Sequence, residues 1–136
     1  MKLAGPAAKG MYVSQYGIAN DKLPPRGREF LKSFASGRPT GAGPDYGAAY
    51  GAQAAEILLD AIARSDGTRA SVTREIFRTR VTDGILGDIR FDRNGDLVDS
   101  PFTFVRMVGD PSSKAGLRPK VDRVVLARSA LLRPAR

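Results

Sequence analysis

Asp92, Asn94 and Asp96 stand at alternate positions, the spacing of the first three ligands of a calcium loop. Such a loop also needs glycine at its sixth position and glutamate at its twelfth. Here those positions hold Leu97 and Thr103, so the segment reads as a turn, and Asn94-Gly95 supplies the positive φ that a tight hairpin turn requires. Gly37, Gly41 and Gly43 follow no strand and lack the Lys-Ser/Thr of a phosphate loop. The carboxylates of Asp88 and Asp92 fall on a strand and a turn, with nothing to draw them into one pocket. The chain contains no histidine and no cysteine. That removes imidazole bases, thiol nucleophiles and the commonest zinc ligands together. Its serines lack a histidine or a Ser-x-x-Lys spacing to activate them. The residues point away from an enzyme, a metal site or a bound cofactor.

The elements that would position any site are marked by clear punctuation. Gly10 to Tyr16 is short, β-prone and alternating, as a strand is. Asn20-Asp21 and Pro24-Pro25 make a loop, and Pro25 can open a helix because its missing N–H is not needed in the first turn. That helix runs to Ser36 with Phe30, Leu31 and Phe34 as its apolar stripe, and Gly37 with Pro39 ends it. Residues 40–45 are a second loop, and Asp45 is placed to cap a long helix over Tyr46 to Ser65. Tyr50, Ala54, Ile57, Leu58, Ala61 and Ile62 have the spacing of its buried face. A shorter helix begins at Ser71, with Val72, Ile76 and Phe77 inward. Asp83-Gly84 is a turn, and Ile85 to Phe91 is a strand with Ile85, Gly87, Ile89 and Phe91 on one face. After the Asp92–Asp96 turn, Phe102 to Val108 is the returning strand of a hairpin, with Phe102, Phe104 and Arg106 opposite Thr103, Val105 and Met107. Residues 109–120 read as loose, and Val121 to Ala127 as a last short strand.

With 136 residues, 42% of them hydrophobic, the chain is long enough to bury a core. One strand before three helices and a hairpin after them do not close an α/β domain, because a doubly wound sheet needs several alternating units. The helices thus carry apolar faces that lack a sheet, and unpaired sheet edges leave room for self-association. The net charge of +8 is concentrated at the end: residues 1–108 hold 15 Lys+Arg against 12 Asp+Glu, and residues 109–136 hold 7 against 2. These last cations, from Lys114 to Arg136, are spaced about one in four among valines and leucines with no aromatic partner, which reads as a solvated tail and not as a nucleic-acid face. No apolar run reaches the roughly 20 residues needed to span a bilayer. The first residues do not form a signal peptide core, so the chain as written is expected in the cytoplasm.

Four segments together carry a family resemblance: GMYVSQYG (10–17), LPPRGREFLKSF (23–34), PDYGAAYGAQAAEILLDAIARS (44–65) and GILGDIRFDRNGDLVDSPFTFVRMVGD (84–110). In this order, over about residues 5–110, they resemble the closing third of the leucine/isoleucine/valine-type binding proteins of ABC importers. The most specific piece is the stretch from Gly84 to Asp96. The tail, VDRVVLARSALL, is similar to the way some members finish, so the C-terminus reads as natural and the N-terminus as truncated.

The resemblance implies an α/β fold, part of a type I periplasmic-binding-protein fold. In that fold two Rossmann-like lobes, joined by three crossovers, hold the solute beyond the carboxyl ends of their strands. It implies residues 1–110 as a C-terminal segment of the binding domain and 111–136 as a basic tail. Tyr16 and Gly17 would lead into one crossover, Gly84 and Gly87 into the next, and lobe closure would be a hinge motion. One contact to the solute's side chain is implied near Tyr46, Ala49 and Tyr50. The groups that grip the solute's carboxylate and ammonium lie mainly in the first two thirds of the family's length. The implied partners are a small solute such as a branched-chain amino acid and ABC permease subunits, with the parent protein periplasmic or extracellular. Two other readings stay open: a sensing receptor of the same fold, marked by a fused signalling segment, and a small nucleic-acid-binding module, marked by salt-dependent retention.

Overall fold

The computed structural model describes residues 5–37, 47–110 and 116–128. In chain order the elements are β1 (Tyr12–Tyr16), α1 (Pro25–Ser36), α2 (Ala48–Arg64), α3 (Arg69–Phe77), β2 (Arg80–Gly84), β3 (Gly87–Arg90), β4 (Asp99–Gly109) and β5 (Leu117–Arg128). They fall into two compact units, with divisions at Ala19/Asn20, at Ser100/Pro101 and at Ala127/Arg128, near the end of β5.

The first unit is built on a sheet of order β1-β4-β5, in which β1 and β4 run antiparallel. Its central strand alternates as period two demands: Thr103, Val105 and Met107 are buried, while Phe102 and Arg106 are exposed. The register sets Tyr12, Ser14 and Tyr16 directly opposite Arg106, Phe104 and Phe102. Those six residues therefore share the outer face. On it, Arg106 lies over the Tyr12 ring at 5.8 Å and Arg123 over the Phe104 ring at 5.6 Å. Such exposed cation–π contacts contribute about 0.5–1 kcal/mol each.

In the second unit, the three helices pack in sequence, α1 on α2 and α2 on α3, and α1 also meets β2. Helix α1 begins at Pro25, with Pro at its first position, and the residues it buries are Gly27 and Leu31. Phe30 and Phe34 stack instead on each other at its outer side, their ring centroids 5.6 Å apart. Leu23, just before the helix, is fully buried, which by area contributes about 2 kcal/mol. The β2–β3 pair is a short antiparallel hairpin with an irregularity between Val81 and Gly84, where Asp83 takes a positive φ of 52°.

Several expectations are corrected. The run from Phe102 does not return along the strand after the Asn94-Gly95 turn. The turn forms, with Asp92 N–H donating to the Asp96 carbonyl, but pairing there ends after a Phe91–Leu97 bridge and a Val98-to-Arg90 hydrogen bond. The strand that β3 pairs with is β2, read from the sequence only as a turn at Asp83-Gly84. A turn motif specifies a local reversal, while the partner of a long strand is chosen by which buried face it completes. β5 starts at Leu117, four residues before the expected strand, and lies beside β4. Residues 111–115 and 129–136 of the expected tail lie outside the described residues, as do the loop 40–45, Asp45 and Tyr46. Helix α3 starts at Arg69, two residues before the expected Ser71, and its cap is Thr68, whose hydroxyl accepts from Ser71 N–H.

The face that α2 buries is also turned from the expected one. Ala49, Gln53, Ile57 and Ala61 are buried, whereas Leu58 and Ile62 are 45% and 46% exposed. An alanine-rich helix is apolar nearly all round, so periodicity alone does not choose the side that packs. Gly27 and Gly84 mark the close approaches. A Cβ on Gly27 would collide with the Ile85 carbonyl oxygen, and one on Gly84 would collide with the Gln53 side chain and lie 2.7 Å from a Val81 methyl.

Candidate functional site

Within the second unit, Gln53 joins three elements. Its side-chain oxygen accepts from Leu86 N–H at 3.2 Å in the β2–β3 turn, and its nitrogen donates to Glu56 at 3.2 Å. The other Glu56 oxygen takes Arg26 of α1 at 2.9 Å, and Arg26 also donates to the Asp83 carbonyl at 3.4 Å. Helices α1 and α2 and the hairpin are thereby held in one polar chain whose inner member, Gln53, is 2% exposed. Buried amides need such partners, since leaving one unmet costs about 1–3 kcal/mol. Sequence reading missed Gln53 because a single polar residue in an alanine-rich helix looks solvent-facing. The available signal was the strict spacing of four through Ala49, Gln53, Ile57 and Ala61.

Beside this chain of bonds opens an apolar groove of about 430 Å³. Tyr50, Ala54, Ile57 and Leu58 of α2 form one wall, and Ile89 of β3 with the bridged pair Phe91 and Leu97 beyond it form the other. No charged side chain lines it. Of the residues expected near the solute, Tyr50 is thus half-buried on this groove, Ala49 is fully buried, and Tyr46 lies outside the described residues.

The segments by which the chain leaves and re-enters the first unit lie side by side. Gly17 N–H donates to the Pro101 carbonyl at 2.7 Å, next to the Tyr16–Phe102 pair. Thr103, with no exposed surface, donates its hydroxyl to the Gly17 carbonyl at 2.8 Å and accepts from Ala19 N–H at 3.0 Å. Tyr16 and Gly17 therefore stand at the edge of the first passage between units, while Gly84 and Gly87 lie inside the second unit, at either end of the β2–β3 turn.

Among the described residues no three His, Cys, Asp or Glu side chains gather as a metal site would require. The Asp92 carboxylate accepts from the N–H groups of Asn94 at 2.8 Å and Asp96 at 3.0 Å, so it serves the turn. Asp66 is held below the usual carboxylate range, first by the Thr68 hydroxyl and then by Thr68 N–H, and this belongs to the cap of α3. None of the described helices is long and apolar enough to cross a membrane.

Residues 1–114 match the periplasmic binding protein family. No curated protein matches the chain. Among solved structures, the leucine binding protein LivK of Thermotoga maritima is similar at 25% identity and a TM-score of 0.66, over 91% of this chain and 33% of that one. An ABC transporter substrate-binding protein of Desulfitobacterium hafniense, solved in complex with Leu, shares the fold at 22% identity and a TM-score of 0.61, over 83% of this chain and 32% of its own. One from Sphaerobacter thermophilus does so at 21% and 0.59, over 90% and 32%. The chain spans about a third of the length of the structures it matches. With a mixed α/β architecture that superposes on part of a periplasmic-binding-protein fold, the chain belongs to the periplasmic binding protein family.

Proposed function

We propose that this chain is the closing third of an extracellular solute-binding protein that carries a branched-chain amino acid to an ABC permease, and that it does not hold the solute alone. The observation that carries the reading is the family match over residues 1–114 in a chain that spans a third of the relatives. The Thermotoga relative's description as a leucine binding protein, and the Leu complex of the Desulfitobacterium one, support the solute class. In this reading the two units are parts of the two lobes, and the paired segments around Tyr16–Gly17 and Ser100–Pro101 are crossovers about which the lobes close. Gly84 and Gly87 then belong to a lobe that the hinge carries. Tyr46 and Tyr50 would touch the solute's side chain, and the buried Ala49 would let the helix sit close enough for them to do so.

Calorimetric titration of leucine, isoleucine and valine into the isolated chain is expected to show no binding. The same titration into a protein in which the other two thirds precede this chain is expected to show it. Micromolar binding by the chain alone, or none by the joined protein with any of the three, overturns the reading.

A further inference from the structure

Asn94 stands directly before Gly95 in the turn between Asp92 and Asp96, and both residues are exposed to water. An asparagine in that place carries a reaction of its own. The main-chain nitrogen of the next residue, once it has given its proton to water or hydroxide, can attack the side-chain Cγ. A C–N bond forms, the Cγ–Nδ2 bond breaks, and the amide nitrogen leaves as ammonia. Water then opens the five-membered imide at either carbonyl, giving aspartate or a main chain routed through the β-carbon. No oxidant or reductant takes part. Glycine leaves the attacking nitrogen bare, because it has no side chain to shield it. The other asparagine of the chain, Asn20, is half-buried and precedes Asp21, whose side chain shields the nitrogen and whose charge opposes its loss of a proton.

The folded turn works against this reaction. Gly95 N–H donates to the Asp92 carbonyl at 3.1 Å, the closing bond of a four-residue turn. Asp83 is the single non-glycine residue with a positive φ among the described residues, so Arg93 and Asn94 fill the central places of a type I turn. The ψ of Asn94 is then about 0°. At that value the Gly95 nitrogen points well away from the Asn94 Cβ, whereas ring closure needs the two eclipsed. Gly95 must therefore leave the turn, and its bond to Asp92, before it can attack. The Asp92 carboxylate opposes that rotation by taking Asn94 N–H at 2.8 Å and Asp96 N–H at 3.0 Å. Phe77 of α3 backs the same turn, its ring 3.4 Å from where a Cβ on Gly95 would lie.

We propose that Asn94 is a site of spontaneous amide loss and that Asp92 is the positioning residue that holds it in check through the turn. The inference is independent of the solute reading. Either product sets a further carboxylate between Asp92 and Asp96, and the β-linked one also lengthens the main chain inside the ring that Asp92 and Asp96 close. The modified turn is thus a loosened one.

The test incubates the full 136-residue chain at mildly alkaline pH and follows amide-to-acid conversion at residues 94 and 20 by peptide mapping. In denaturant, Asn94 is expected to convert faster than Asn20. In buffer, wild type is expected to convert at Asn94 about tenfold more slowly than in denaturant, and Asp92→Ala about tenfold faster than wild type. Asp92→Asn keeps an oxygen that accepts from the same two N–H groups and is expected to stay within about twofold of wild type. Gly27→Ala, which strains the same unit away from the turn, is expected to do the same, so that general loosening is told apart from loss of the Asp92 bonds. Circular dichroism confirms that each variant is folded. Faster conversion at Asn20 than at Asn94 in denaturant overturns the site. Equal rates for wild type with and without denaturant, or for wild type and Asp92→Ala, overturn the restraint. So does acceleration by Gly27→Ala or Asp92→Asn to the rate of Asp92→Ala.

Discussion

Thr103 occupies a place where a single hydroxyl meets two backbone groups that have left the sheet, the Gly17 carbonyl and the Ala19 N–H. Thr103→Val keeps the shape and removes both bonds, and the expected loss is about 1–3 kcal/mol for a buried group left unmet. Denaturant unfolding followed by circular dichroism measures it, and a change within 0.3 kcal/mol (roughly the additivity error of such values) contradicts the role. Glycines divide by what surrounds them. Gly27→Ala drives a methyl into the Ile85 carbonyl and is expected to cost about 1–3 kcal/mol, as overpacking does. Gly51→Ala, in α2 with open space around it, is expected to stabilise by about 0.5–1 kcal/mol through helix propensity. Equal effects of the two would show that close packing of α1 on the hairpin is not what Gly27 provides. Pro25 and Gly95 were legible at this scale because their conformational rules are local, whereas Gln53 and Thr103 act through partners more than thirty residues away.

Helix α3 shows how an element is held at its start. Thr68 accepts from Ser71 N–H, and Asp66 accepts from both the N–H and the hydroxyl of Thr68. Arg64 then ties α2 to Glu75 of α3 at 3.0 Å, while Arg78 meets the same carboxylate. Thr68→Ala is expected to cost about 1 kcal/mol, the usual worth of such a cap. Asp66 adds a pH dependence. Its pKa is lowered in the folded chain, so its ionised form stabilises the fold above the ordinary value of 3.8, and that contribution is lost as the pH falls through the lowered folded value. Thermal melts of wild type and Asp66→Ala should therefore differ most near neutrality and converge in acid. A gap that widens as the pH falls would contradict this sign. Most elements were legible from punctuation, β2 excepted, and the alternation of β4 was read over Phe102 to Val108. Its partner was not, because the same alternation suits β1, β3 or β5 equally until burial selects among them.

At the scale of the molecule, the described residues divide into two compact units, and the second of them carries an apolar groove along α2. The failure of the isolated chain to bind leucine, isoleucine or valine is expected at this level. Composition and motif order, by themselves, determined that the chain is no histidine- or cysteine-dependent enzyme, that it is mixed α/β, and which family it resembles, because residue type and local spacing carry that information without any partner. Only the tertiary structure decided that the β4 run joins β1 and β5 instead of closing a hairpin on β3, that α2 packs through Gln53 and leaves Leu58 outward, and that Tyr50 borders a groove. Those choices are made by which apolar faces meet across long stretches of chain, and a free energy of burial belongs to the pair of surfaces and to neither sequence segment alone.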